Sequence, residues 1–330
     1  MHFFKNAIYT WKKQDHKVCI AARDKDLTLS LLDEYCLTYT CLSHTRPGVI
    51  SLALELFEHE SKLIQIAKKF KPDVMVSIGG TFQVHVAKML GIRSIVFSDT
   101  EMATVANRIT YPFADVICTP SCYRDDWGKK HVRYQGYQEL AYTHPNWFTP
   151  NPSILKELGV NKGDKLFVIR FVAWQSGHDI MKKGFSSKGK YLLVKSLIRY
   201  GRVVLTSESE LPLSLEQYRM RLSPTKIHDL LAFSTLYIGE SATMASESAI
   251  LGIPFIFVSP VGRGYTDEQE NKYKLGFTIH PDQEECAINT ALELAQSKNL
   301  RNEWQIKKQH LLQDKIDVTA WMVDFVESLL

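Results

Sequence analysis
Short apolar runs closed by small or polar turns, each followed by apolar residues at helical spacing, recur along most of this chain. A fully apolar run alternating with an amphipathic one is the pattern of βα units in a parallel sheet. The chain opens on a predicted helix, Met1–His16, with Phe3, Phe4, Ala7, Ile8 and Trp11 on one face. Lys17–Ala22 then predicts a strand, Leu27–Tyr35 a helix, Thr38–Leu42 a strand and Val49–Phe70 a long amphipathic helix. Strands follow at Val74–Ile78, Arg93–Phe97 and Asp115–Cys118, with helices at Thr81–Leu90 and Glu101–Arg108. A parallel α/β domain normally begins with a strand, so a leading helix with nothing before it is out of place.

Between Tyr134 and Asp164 the pattern loosens into interleaved aromatic, proline and polar residues with one short helix, Ile154–Leu158. Alternation resumes with strands at Leu166–Ala173, Arg202–Thr206, Leu236–Ile238, Phe255–Val258 and Phe277–Ile279. The helices between and after them are Lys190–Tyr200, Ile227–Phe233, one starting near Ala242, Asp267–Leu275 and Cys286–Gln296. Asn299–Leu330 reads as one or two helices. Two runs of βα units joined by an irregular segment predict an α/β protein of two Rossmann-like domains facing a cleft, with ligands at the carboxyl ends of the strands.

Composition narrows the function. With 330 residues, 45% of them apolar, the chain can bury two cores. Forty Lys and Arg against 36 Asp and Glu leave a dispersed net charge of +4, which argues against a nucleic-acid partner. The cysteines at 19, 36, 41, 118, 122 and 286 are expected to be small core residues of a cytoplasmic protein. Cys118 and Cys122 alone are closely spaced, a poor zinc signal, so no metal site is expected. No apolar run approaches the ~20 residues of a membrane span. The basic, aromatic N-terminus lacks the apolar core and cleavage site of a signal peptide.

The stretch Leu236–Pro254, LYIGESATMASESAILGIP, concentrates the candidate chemistry. A strand, a tight turn and a helix N-terminus form an anion site, because the first helical turn has unpaired N–H groups and a partial positive charge. Ser241 would sit at the N-cap, Ala242 and Thr243 in the first turn, and Glu247 could accept hydrogen bonds from vicinal hydroxyls. The same residues would equally serve a well-capped αβ unit with a solvated glutamate. Arg263, between two glycines, and Arg170 could reach a phosphate, and His178-Asp179 lies on a polar loop. Asp99 and Glu101 close a strand, where either could act as a general base; the competing reading is that Asp99 caps the next helix. Asn107-Arg108 could pair with either carboxylate. There is no P-loop, G-x-G-x-x-G, His-Glu-x-x-His or G-x-S-x-G motif.

The runs DHKVCIAARDKDLTLSLLDEY, NRITYPFADVICTP, YQGYQELAYTHP, VIRFVAWQSGHD, SESELP and IGESATMASESAILGIPFI resemble a prokaryotic family, number 354 in the domain-of-unknown-function series, over nearly the whole chain. That family is similar to GT-B glycosyltransferases and to non-hydrolysing UDP-N-acetylglucosamine 2-epimerases. The resemblance implies a GT-B-like fold whose Ser241 and helix N-terminus hold a diphosphate and whose Glu247 holds a ribose. Ala242-Thr243 replaces the Gly-Gly of the related motif. Gly79-Gly80 stands where the epimerases place an acidic residue, which favours glycosyl transfer. Family members carry a strand and a His-Pro loop ahead of the segment matching His2–Asn6, so the first strand of the N-terminal domain is expected to be missing and the start to be placed late.

The resulting expectation is an enzyme with an acceptor domain over 1–145, braced by a returning C-terminal helix over 316–330, and a nucleotide-sugar domain over 146–315. It would use a nucleotide-diphospho-sugar as substrate, without cofactor or metal, and a saccharide or lipid-linked acceptor in cell-surface polysaccharide or glycolipid synthesis, with a peripheral membrane contact. Asp99 or Glu101 would take the acceptor proton, with His178 as a third catalytic candidate. The alternatives are a UDP-sugar 2-epimerase-like isomerase and a non-catalytic nucleotide-sugar-binding protein.

Overall fold
A computed structural model describes residues 1–24, 27–44, 49–161, 163–172, 184–208 and 210–330, apart from the side chains of residues 44 and 49–57. The chain divides into two compact units: unit 1 is Met1–Tyr142 with Ile316–Leu330, and unit 2 is Thr143–Lys315.

Unit 1 runs α1 (His2–Lys13), β1 (Ala21–Asp24), α2 (Thr28–Glu34), β2 (Thr40–His44), α3 (Val49–Phe70), β3 (Val74–Ile78), α4 (Thr81–Leu90), β4 (Arg93–Phe97), α5 (Thr104–Thr110), β5 (Val116–Pro120) and β6 (His131–Tyr134), and α6 (Leu140–Thr143) marks its boundary. Its strands form two parallel ladders, β1-β2 and β3-β4-β5-β6. The internal strands β4 and β5 are largely buried, whereas β3 is half-buried and exposed at its last residue, Ile78. Phe97, at the end of β4, anchors the core of this unit. It meets Phe3 and Phe4 of α1 with ring centroids at 5.2 and 5.9 Å, and Trp321 at 6.3 Å.

Unit 2 runs α7 (Ser153–Glu157), β7 (Leu166–Phe171), α8 (Ser187–Leu197), β8 (Arg202–Ser207), α9 (Leu213–Glu216), α10 (Ile227–Phe233), β9 (Leu236–Gly239), α11 (Ala242–Leu251), β10 (Phe255–Val258), α12 (Gly264–Asn271), β11 (Gly276–Ile279), α13 (Glu284–Gln296) and α14 (Leu300–Asp314). One parallel sheet, in the order β11-β10-β9-β7-β8, carries the unit. The chain moves outward from β7 to β8, then crosses to the far side of β7 to lay down β9. The topological switch point therefore lies between β7 and β9. Phe167, Ile169, Leu205, Ile238, Ile256 and Val258 fill the core beneath it, each almost fully removed from water.

The final helix α15 (Val318–Glu327) belongs to unit 1. It packs on α1, Ile316 N–H donates to Gln135 O at 2.9 Å, and Thr319 Oγ1 donates to Ala141 O at 2.7 Å.

Two sequence expectations need correction. The first strand is Ala21–Asp24 rather than Lys17–Ala22, because its ladder with Thr40–His44 fixes the register, not the apolar run. Among the cysteines only Cys118 is buried; Cys19, Cys36 and Cys286 are exposed, Cys41 and Cys122 are partly so, and all six are free thiols. Cys36 sits in the turn after α2 and Cys286 in the first turn of α13, neither of which faces a core. Among the described residues no helix is long and apolar enough to cross a membrane.

Candidate functional site
Unit 2 gathers its candidate residues at the switch point. Arg170 in β7 is in register with Gly239 in β9, which is in register with Phe257 in β10, so the three strands end together. Gly239 is required by close approach: a Cβ there would lie 2.5 Å from Arg170 O and 2.7 Å from the Tyr237 hydroxyl. Immediately beyond, Ser241 is the N-cap of α11 and its Oγ accepts a long 3.4 Å bond from Met244 N–H. The first N–H groups of α11, those of Ala242 and Thr243, have no preceding turn to donate to. Ser241 and Ala242 are partly exposed and Thr243 exposed, while Met244 to Leu251 are buried. An accessible N-terminus on a buried helix is suited to an anion. The N-terminus of α8 differs, since Glu284 already occupies it, accepting from Ser186 N–H at 2.9 Å and Ser186 Oγ at 2.8 Å.

Around the Tyr237 hydroxyl the structure gathers Arg170, Glu240, Ser241 and Glu247. The hydroxyl donates to Ser241 O at 3.1 Å and accepts from Ser241 N–H at 3.3 Å. Burial pushes this phenol up; Arg170 opposes the shift, while Glu247 and Glu240 add to it. Glu247 is buried and pairs with the equally buried His228 of α10, Nε2 to Oε1 3.1 Å. Glu240, also buried, accepts from Val172 N–H at 2.9 Å and from Phe185 N–H at 2.7 Å, so one carboxylate ties together both ends of the β7–α8 connection. Arg170 pairs with Glu208 at 2.6 Å. Arg263 is the N-cap of α12, and its guanidinium lies over Val261 O and Gly262 O of its own loop, at 3.5 and 3.3 Å.

Unit 1 places its carboxylates on the loop after β4. Asp99 accepts from Thr100 Oγ1 at 2.8 Å. It does not cap α5, whose N-cap is Ala103 with no side-chain bond. Burial raises the Glu101 carboxyl above the ordinary carboxylate value; its own N–H, the Arg124 N–H and the Arg124 charge oppose this, and Asp99 adds to it. Asn107 is buried and holds the loop, donating to Thr100 O at 3.1 Å and to the Tyr123 hydroxyl at 3.3 Å. Its amide thus serves Thr100 and Tyr123, whereas the sequence suggests a pairing with Asp99 or Glu101. Arg108 is exposed, and with Glu101, Thr104, Asn107, Asp125 and Trp127 it lines a recess of about 370 Å³. The Tyr134 hydroxyl is buried near Asp99, without a hydrogen-bond partner among the described residues.

Asp99 and Glu101 thus belong to unit 1, and Ser241, Ala242, Thr243, Glu247, Arg170 and Arg263 to unit 2. His178 and its neighbour Asp179 lie outside the described residues. Sequence reasoning missed Tyr237, His228 and the anchoring role of Glu240. Tyr237 reads as an ordinary strand residue, and nothing in the pattern brings His228 to Glu247, 19 residues away. Among the described residues no group of three or more His, Cys, Asp or Glu side chains is arranged to hold a metal ion.

The fold is shared with known enzymes. The chain is similar to the UDP-GlcNAc 2-epimerase of Neisseria meningitidis, solved bound to UDP-GlcNAc, with TM-score 0.64 and 14% identity over 94% of this chain and 96% of that one. It is similar to the spinosyn forosaminyltransferase SpnP, with TM-score 0.64 and 13% identity over 99% and 95% of the two chains. A third likeness is to MurG of Acinetobacter baumannii, with TM-score 0.57 and 12% identity over 99% and 96%. At such identities the likeness is one of fold, that of GT-B glycosyltransferases and UDP-GlcNAc 2-epimerases. In sequence, the chain is 24% identical over 275 residues to an uncharacterized protein of Methanocaldococcus jannaschii, covering 79% of each. The model of the family described as "Protein of unknown function (DUF354)" matches residues 1–329, and the chain belongs to that family.

Proposed function
We propose that this protein transfers a glycosyl group from a nucleotide-diphospho-sugar to an acceptor hydroxyl in cell-surface polysaccharide or glycolipid assembly. The observation that carries the donor half is the accessible N-terminus of α11 at the switch point, beside a buried carboxylate, Glu247, able to accept ribose hydroxyls once it rotates from His228. Arg170 stands in β7 at the switch point and Arg263 at the N-cap of α12, after β10, and either can exchange its present partner for a phosphate.

The acceptor half rests on Glu101, which follows β4, lines the recess and has its carboxyl raised by burial above the ordinary carboxylate value, the direction that suits a general base. Its carboxylate takes the acceptor hydroxyl proton, the acceptor oxygen bonds to the anomeric carbon, and the bond from that carbon to the diphosphate oxygen breaks. The nucleotide diphosphate leaves with the electron pair, stabilised by the α11 N–H groups. Asp99 keeps the site acidic and adds to the upward shift of Glu101. In this reading the nucleotide sugar is a substrate and no cofactor takes part.

Glycosyl transfer is preferred over epimerisation on one structural ground. Gly79 and Gly80 close β3 with positive φ of 69° and 47°, and a Cβ at Gly80 would lie 2.6 Å from Ser77 Cβ, so the turn into α4 carries no acid where an epimerase would need one. Incubating the purified protein with UDP-, GDP- and CMP-sugars tests the reading. Nucleotide released only when acceptor is present supports transfer. A new sugar isomer would establish the isomerase instead, and binding without turnover a non-catalytic sugar-nucleotide protein. Absence of nucleotide binding would remove the donor site altogether.

A further inference from the structure
Helix α5 has two distinct faces. Thr104, Asn107 and Arg108 line the recess of Glu101, but Val105 and Ile109, one helical turn apart, point outward and are 60% and 49% exposed. The same surface continues through Phe113, 43% exposed, and onto the packed neighbour α4 at Met89, 68% exposed. His85 of α4 joins the pieces: its Nε2 lies 3.0 Å from Ile109 O, and its ring packs edge-on to Phe113 with centroids 4.7 Å apart. Four large apolar side chains that fill no core therefore share one surface, which is unusual for a face in contact with water alone.

Cations surround it. Lys88 adjoins Met89, Arg108 adjoins Ile109, and Lys129 and Lys130 lie on the turn beside Phe113, where Lys130 Nζ donates to Pro112 O at 2.9 Å; all four residues are exposed. Of the nearby carboxylates, Asp125 and Asp126 sit at the recess, and Glu60 reaches the face itself, where it is turned to His85 at 3.6 Å. Exposed apolar side chains ringed by Lys and Arg match the interface of an anionic bilayer: the apolar groups enter the headgroup boundary and the cations meet phosphate.

We propose that the α4–α5 face docks on an anionic lipid bilayer, presenting the recess on the other side of α5 to a lipid-linked acceptor. The docking stands on the surface alone, and only the identity of the acceptor rests on the glycosyl-transfer reading.

The test is flotation of the purified full chain with phosphatidylcholine vesicles and with vesicles that also contain phosphatidylglycerol. Partitioning should be about tenfold or more stronger onto the anionic vesicles and should fall as salt is raised. Ile109→Glu and Phe113→Glu should each weaken it about tenfold, and Lys88→Glu and Lys129→Glu at least about fivefold each, with melting temperature and UDP binding unchanged. Should Ile109→Glu fail to fold, Val105→Ser makes the same test at a more exposed position. Equal partitioning onto both vesicle types, or variants that bind like the parent, overturns the proposal. So does a lipid-free dimer that Ile109→Glu dissolves, because it assigns the face to a second copy. Vesicle binding without any nucleotide binding would leave the docking intact and remove the transfer reading.

Discussion

Strand β9 in unit 2 is hydrogen-bonded on both sides and every one of its residues is buried. Strand β3 in unit 1 has a ladder on one side only among the described residues, and Ile78 at its end is 45% exposed. Parallel strands are stable when both edges and both faces are covered, and β9 meets that condition where β3 does not. The candidate residues obey the same division. Ser241 and Glu247 come after β9, Arg170 lies on its neighbour β7, and Asp99 and Glu101 come after β4, which is paired on both sides. The one-sided β3 runs instead into Gly79-Gly80, with no acid. The candidate side chains thus lie on or after doubly paired strands.

The polar groups differ too. In unit 2 they are paired: Glu247 with His228, Arg170 with Glu208, and Glu240 with two backbone N–H groups. In unit 1 burial leaves Glu101 with a raised carboxyl value. A set whose present partners a ligand can replace suits binding, and a carboxylate that burial disposes to hold a proton suits chemistry. The sharpest way to break this contrast is Glu101→Gln, which should lower turnover by about 10²–10⁴-fold while nucleotide affinity measured by calorimetry stays unchanged. The same carboxyl sets a pH dependence. Its folded-state value lies above the unfolded one, so the stability it contributes is complete below the ordinary carboxylate range and is lost as pH rises through the raised value. Glu101→Gln escapes that loss, so its melting temperature relative to the parent should climb as pH rises above the ordinary carboxylate value of about 4. An unchanged difference across that range would show Glu101 to be ordinary, and the contrast between the units would lose its chemical half.

The sheets give the next largest effect. Ile238→Ala, in the centre of β9, should cost about 2–5 kcal/mol in urea unfolding, whereas Ile78→Ala should cost under about 1 kcal/mol. Equal costs would mean that β3 is as fully covered in solution as β9.

Most of this scaffold was readable from the chain. Val49–Phe70, Val74–Ile78, Thr81–Leu90, Arg93–Phe97, Ile227–Phe233 and Phe255–Val258 form the elements expected of them, because apolar period and end signals such as Lys71-Pro72 and Gly91 agree. The four-residue β6, His131–Tyr134, was invisible: it comes after Lys129-Lys130, has no apolar run, and exists because β5 offers it an edge. The helix expected at Glu101–Arg108 begins at Thr104, since Asn107 holds Thr100 O and keeps residues 100–103 as a loop. That bond gives Glu101 its setting, and it depends on tertiary contact rather than on propensity. The pairing of Glu247 with His228 was illegible for a similar reason, as it arises only when α10 packs on α11.

Glu240 sharpens the comparison from the binding side. Glu240→Gln keeps the shape but offers one acceptor oxygen where Val172 and Phe185 present two N–H groups. The loss should be about 1.5–3 kcal/mol in urea unfolding, with hydrogen exchange accelerated at Val172 and Phe185 before the β9 ladder is affected. A variant as stable as the parent would mean that the connection between β7 and α8 is held by other contacts.

The smallest expected effect is at Ser241, in the proposed donor site. Ser241 contributes a long cap bond and a hydroxyl at the mouth of α11, while the N–H groups and dipole of the helix remain when the hydroxyl is removed. Ser241→Ala should therefore weaken UDP binding only by about 2- to 30-fold in calorimetry, corresponding to about 0.5–2 kcal/mol, and lower stability by a similar amount. Helix destabilisation alone would lower the melting temperature without changing affinity at temperatures where the protein is fully folded. A loss of affinity in the folded range is thus the discriminating result. If Ser241→Ala binds UDP as the parent does, the hydroxyl is a cap and the anion site must rest on the backbone of Ala242 and Thr243 alone.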